Sequence, residues 1–167
     1  MVEGPQQWPL LPHHGGENPP VPPSRFQAPG YGPDDPLRLT ATWSNEVRRG
    51  RWLVPPYVTV SPNMSNIVLD LRDAVPEAAT IHLSVHGVAG NVVLIVPEGW
   101  GVDTDRLGKG IGSVRNRIGP LAVQGFPRLV VTGTVGIGTF VARHERFFER
   151  WGRGRRAPGQ GPRELLR

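Results

Sequence analysis

The 167-residue chain contains no cysteine, which excludes a disulfide framework, thiol catalysis and any cysteine metal site. It has five histidines. His13 and His14 fall in a proline-rich stretch and His144 stands alone, so His82 and His86 are the only pair with matched spacing. Two ligands do not make a metal site, which needs three or four converging groups, and no cofactor is expected. There is no apolar stretch of the ~20 residues that a membrane span requires, nor an apolar run near the start of the length an export signal needs. These readings lead to the expectation of a soluble, cytoplasmic protein, with a membrane-peripheral role as the alternative. Lysine is nearly missing, since arginine outnumbers it 18 to one, which suits a GC-rich bacterial coding sequence.

What is abundant is unevenly placed. Ten of the 19 prolines lie in residues 1–38, where Trp8, Leu10, Leu11, Phe26 and Tyr31 are nearly the only large apolar residues. Such a segment has too little to bury to offset its ordering entropy, and it reads as a disordered extension with extended, polyproline-like stretches. Residues 39–142 carry nine basic and seven acidic residues, whereas residues 143–167 carry eight and three. The chain therefore divides into a disordered segment (1–38), a folded domain (39–142) and a basic tail (143–167). In the tail, Phe147, Phe148 and Trp151 stand at helical spacing among Arg146 and Arg150, before Gly152 and Gly154. That pattern predicts a short amphipathic helix whose aromatic face covers the end of the folded domain. The same five residues are the candidate contacts for a partner or an anionic membrane surface. Nucleic acid is disfavoured, because the central domain shows no basic stripe with interleaved aromatics.

A pattern recurs four times in the central domain. A pair of residues, usually apolar, stands five and seven positions before a small residue, which is followed by a short polar residue and then an apolar one. The small residues are Ser65, Gly90, Gly112 and Gly138, spaced 25, 22 and 26 residues apart. The pairs before them are Val58 and Val60, Leu83 and Val85, Asp105 and Leu107, Val131 and Gly133; after them come Asn66-Ile67, Asn91-Val92, Ser113-Val114 and Thr139-Phe140. A period of this length marks strand–turn–strand units that bury their apolar faces only by stacking. The expected fold is all-β, a small β-solenoid-like stack with the four small residues as turn centres of positive φ or close backbone approach. Alternation puts Leu69, Leu71, Leu83, Val85, Leu94, Val96 and Val131 in one interior, and leaves His82, Ser84 and His86 on a solvent face. It also assigns Val68, Asp70 and Arg72 to the wet side of their strand. Trp52 is expected to anchor the first strand.

Two catalytic readings are discarded. Gly108, Gly110 and Gly112 in GKGIGS lack the spacing of a P-loop or a dinucleotide fingerprint, and their last glycine is a turn centre. Ser84, His86 and Asp70 could be imagined as a triad, but nothing supplies an oxyanion site or a strained nucleophile turn.

Five runs carry a family resemblance: EVRRGRWLVP (46–55), VLDLRDA (68–74), VVLIVPEGWGV (92–102), GIGSVRNR (110–117) and PRLVVTGTVGIGTFVAR (127–143). In this order they resemble the C-terminal domain of LiaF-like cell-wall-active antibiotic response proteins, the toastrack domain, of the actinobacterial type. Met64, Ala89, Ile111 and Ile137 stand where those relatives carry an aromatic. The resemblance implies a non-enzymatic β domain in cell-envelope stress signalling that works through a protein partner, with no catalytic residue to carry over. The alternative is a structural protein whose repeat ends stack into homo-oligomers.

Overall fold

The computed structural model describes residues 28–145. It contains ten strands: β1 (Leu37–Thr42), β2 (Glu46–Arg48), β3 (Leu53–Val54), β4 (Tyr57–Asp70), β5 (Val75–Pro76), β6 (Thr80–Ile95), β7 (Gly101–Lys109), β8 (Ser113–Asn116), β9 (Arg128–Ile137) and β10 (Thr139–Arg143). There is no helix among the described residues. Every strand pairing is parallel. An all-parallel arrangement needs connections that return the chain to the same edge, and here each unit supplies its own. The strands therefore form two long rows and one short one. The first row runs β1, the leading half of β4, the leading half of β6, β9 and β7. The second runs β2, the trailing half of β4, the trailing half of β6, β10 and β8. β3 and β5 make the third. β4 and β6 each belong to both long rows, so they pass the turn between them without ending.

The interior follows from alternation. Val58, Leu83 and Val131 are register partners in the first row, and Leu69, Leu94 and Ala142 in the second; all are buried. The seven residues expected inside are buried without exception. Phe140, the largest fully enclosed side chain, sits level with Ile67 and Val92. His82 and His86 are exposed and Ser84 is partly so, with Ile81, Leu83 and Val85 on the buried side of the same strand. Trp52 is half-buried and packs against this core, while its carbonyl accepts from the Val75 N–H at 2.8 Å.

Units are not stacked in chain order. The fifth unit, β9–β10, lies between the third (β6) and the fourth (β7–β8), so the fourth is an end of the stack and the last is internal. The long return between β8 and β9 makes this possible. It is tied to the stack where the Val102 N–H donates to Gly119 O at 2.9 Å and the Gly101 N–H to Pro127 O at 3.2 Å. Arg128 pairs with Asp103 across the inserted boundary. The Asp103 carboxyl is held below the usual aspartate range, first by the Asp105 backbone N–H, then by Arg128 and Arg106, against the opposing effect of partial burial.

Two expectations need correction here. Asp70 is not on a wet side: it is buried and pairs with Arg72, which also bonds Glu145 at 2.6 Å, because the chain leaving β10 folds over this corner. Asp105 does not act as half of an apolar pair with Leu107. A register shift between Asp103 and Arg106 pushes Asp105 outward, and only Leu107 reaches the core.

Leu94 is fully enclosed between its neighbours of the second row. Leu94→Ala should lower unfolding free energy by about 2–4 kcal/mol through lost burial and a residual cavity. Chemical denaturation measures this, and a loss below about 0.5 kcal/mol would contradict the interior described.

Candidate interaction surface

The turn between the two long rows is built five times. Its residues are Trp43-Ser44-Asn45, Met64-Ser65-Asn66, Ala89-Gly90-Asn91, Ile137-Gly138-Thr139 and Ile111-Gly112-Ser113, in stacking order. The middle residue is small because stacked backbones nearly touch. A Cβ on Gly138 would lie 1.9 Å from Gly90 O, and one on Gly112 would lie 2.5 Å from Gly138 O. The four expected turn centres thus form one column, Ser65–Gly90–Gly138–Gly112. Gly90 and Gly138 have positive φ, whereas Gly112 makes a close backbone approach without it; in the units centred on serine, the preceding Trp43 (φ 65) and Met64 (φ 62) adopt positive φ.

The polar third residues form a ladder. Asn66 Nδ2 donates to Asn45 Oδ1 at 2.9 Å, Asn91 Nδ2 donates to Asn66 Oδ1 at 2.7 Å, and the Thr139 N–H donates to Asn91 Oδ1 at 2.9 Å. Ser113 and Thr139 hydroxyls complete it at 3.2 Å. Short side chains with both donor and acceptor are needed for such a chain of bonds, which accounts for Asn, Ser or Thr at this position.

The first residues of the triplets are different. Trp43 is 81% exposed, Met64 69%, Val88 beside Ala89 75%, Ile137 58% and Ile111 88%. They make an apolar ridge along the full height of the stack. All flanking residues on the turn are Gly, Ser, Thr or Asn. Beyond the asparagine ladder a second apolar line runs beside it, in which Val47, Val68, Val93 and Val141 are register partners facing outward. The outer face of the first row is polar by contrast. Thr40, Thr59, Ser61, Thr132 and Thr134 stand there with His82, Ser84 and His86, and Ser84 Oγ is 3.3 Å from Thr132 Oγ1. Ser84 is therefore bonded to threonine, and Asp70 lies in the second row with Arg72, so the imagined triad is not assembled.

A cavity of about 400 Å³ lies elsewhere, lined by Pro76 to Ala79 and Gly125 to Pro127. Its one carboxylate, Glu77, accepts a hydrogen bond from the Tyr31 hydroxyl. No group of three or more His, Cys, Asp or Glu side chains converges among the described residues. Nor is any helix there long and apolar enough to cross a membrane.

The candidate contacts Arg146, Phe147, Phe148, Arg150 and Trp151 lie outside the described residues. The strand that leads to them is internal, however, and the stack ends at β1–β2 and β7–β8. His144 sits beside Val96, with Nδ1 3.1 Å from the Val96 carbonyl oxygen.

No family model matches the chain, and no curated protein or solved structure matches it either.

The ridge is hard to see in the sequence, where Met64, Ile111 and Ile137 look like substitutes for an aromatic in a turn and Trp43 and Val88 stand outside the four-fold pattern. The fifth triplet was missed as well. Leu37 and Leu39 stand seven and five positions before Ser44, as the pattern demands, and only Glu46 in place of an apolar residue breaks it.

Asparagine tolerates positive φ far better than methionine, so Met64→Asn should leave unfolding free energy unchanged or raise it by up to about 1 kcal/mol. Gly138→Ala, forced against Gly90 O, should lower it by about 2–3 kcal/mol. Thermal and denaturant melts of the two variants read both effects; equal behaviour would contradict the turn geometry.

Proposed function

We propose that the chain is a non-enzymatic protein-interaction module, a toastrack-type β-solenoid acting in bacterial cell-envelope stress signalling. The observation that carries the interaction part is the ridge. Soluble proteins seldom expose a contiguous apolar patch of this extent unless something covers it. Strain strengthens the point, since Trp43 and Met64 hold a backbone conformation that costs about 1–2 kcal/mol each in a non-glycine residue. The five motif runs that resemble LiaF-like proteins support the envelope part, and they include two of the ridge residues, Ile111 and Ile137.

A second reading, end-to-end assembly of the stack, is favoured by the two outer parallel edges, β1–β2 and β7–β8. Charge works against it. Arg38, Arg48, Arg49 and Arg51 outnumber Asp34, Asp35 and Glu46 by one at one end, and Arg106, Lys109, Arg115 and Arg117 outnumber Asp103 and Asp105 at the other. Two basic ends repel at low ionic strength.

Affinity capture from the organism of origin, with and without a cell-wall antibiotic, tests the proposal. The full chain should retain a partner protein that a Trp43→Asn/Met64→Asn variant does not, with recovery changed by the antibiotic. Identical recoveries for both baits would contradict the ridge as the contact surface.

A further inference from the structure

We infer that the apolar corner is the contact surface of a two-fold homodimer, ridge against ridge. This deepens the interaction reading and rests on it only in taking the corner as a surface that is covered. Three observations select a second copy as the occupant.

The first is area. At the exposures of Trp43, Met64, Val88, Ile137 and Ile111 the ridge offers on the order of 700 Å² per copy before the valine line is added, so a pair can bury up to about 1,400 Å² from the ridge, within the range of stable interfaces. The second is spacing. The ridge residues come from successive units, one strand spacing of about 4.8 Å apart, and a second ridge with the same repeat interdigitates with it along its whole length. A partner with another period meets only some of the five side chains. The third is charge. Interfacial attachment to an anionic membrane uses many cations beside the apolar residues, whereas the positions flanking this ridge in each turn are glycine, serine, threonine and asparagine, and the apolar corner meets cations at Lys109 and Arg115, both in the end unit. Neutral polar flanks suit a protein interface, whose core is depleted of charge and whose rim is polar.

A two-fold pairing also makes a positional claim. Val88 belongs to the third of five stacked units, at mid-height of the ridge. Any two-fold that joins the ridges along their length brings this residue next to its own copy. The chain holds no cysteine, so a single introduced thiol reports that contact alone.

The experiment uses the purified full chain in three forms: the wild type, Trp43→Asn/Met64→Asn, and Val88→Cys with Arg38→Cys as a control on the polar face. Sedimentation equilibrium or light scattering over a concentration series should show a wild-type dimer with a dissociation constant of about 10 µM or tighter. The double variant should dissociate at least about 30-fold more readily while melting no lower than the wild type at a concentration where both are monomeric, since asparagine suits both backbones. On mild oxidation Val88→Cys should form a linked dimer in high yield and Arg38→Cys should not. A wild type that is monomeric at 200 µM overturns the inference. So does a double variant that dimerises like the wild type, an open series of higher species, or equal linking at both cysteines. A monomeric wild type that still yields a ridge-dependent partner in the capture experiment leaves the interaction reading standing and removes only the homodimer.

Discussion

The close approach of stacked backbones at the turn between the two long rows governs the rest of the structure. Where a Cβ on Gly138 would come within 1.9 Å of the carbonyl of the unit below, the residue has to be small, and successive units can lie only in the register that aligns their small residues. That register then sets everything on either side. It stacks Asn45, Asn66 and Asn91 closely enough to bond one another, and it levels Ile67, Val92 and Phe140 inside the core. It also lines up the residues that precede the turn, which have nowhere to go but outward.

Because register is set at the turn and not by chain order, the last unit is free to insert between the third and the fourth. The return from β8 to β9 is long enough to allow it, and the pairing of Arg128 with Asp103 joins the inserted unit to the displaced one. The strand that precedes the tail, β10, is internal and next to the end strand β8, and the last described residues pair with Arg72 and Val96.

Most of the interior was legible because burial follows a two-residue period within each unit and a fixed offset from its centre. Leu83, Leu94 and Val131 needed no knowledge of which unit touches which. The stacking order was not legible, since it depends on where a loop of mixed composition returns the chain. Asp70 was misread because alternation describes one strand at a time and cannot see Glu145, 75 positions later in the chain, arriving to share Arg72. The ridge was visible only as an oddity. Methionine and isoleucine at a turn look like drift from an aromatic until the stack shows that five turns present them side by side.

An outer face of threonine, serine and histidine on one row, and an apolar corner with a valine line on the other, give the domain two unlike sides. Both arise from the same parallel register, so the account stands on that register and on the inserted fifth unit. Paired cysteines in this cysteine-free chain test it most directly. Val141 and Arg115 are register partners on β10 and β8, whereas Val93 on β6 is separated from Arg115 by β10. Oxidation should join Val141→Cys/Arg115→Cys within one chain, and should leave Val93→Cys/Arg115→Cys reduced, because two strand spacings exceed the roughly 7 Å that a disulfide can span. Bridges at both pairs would place β8 between β6 and β10, as stacking in chain order does, and would contradict the fold described.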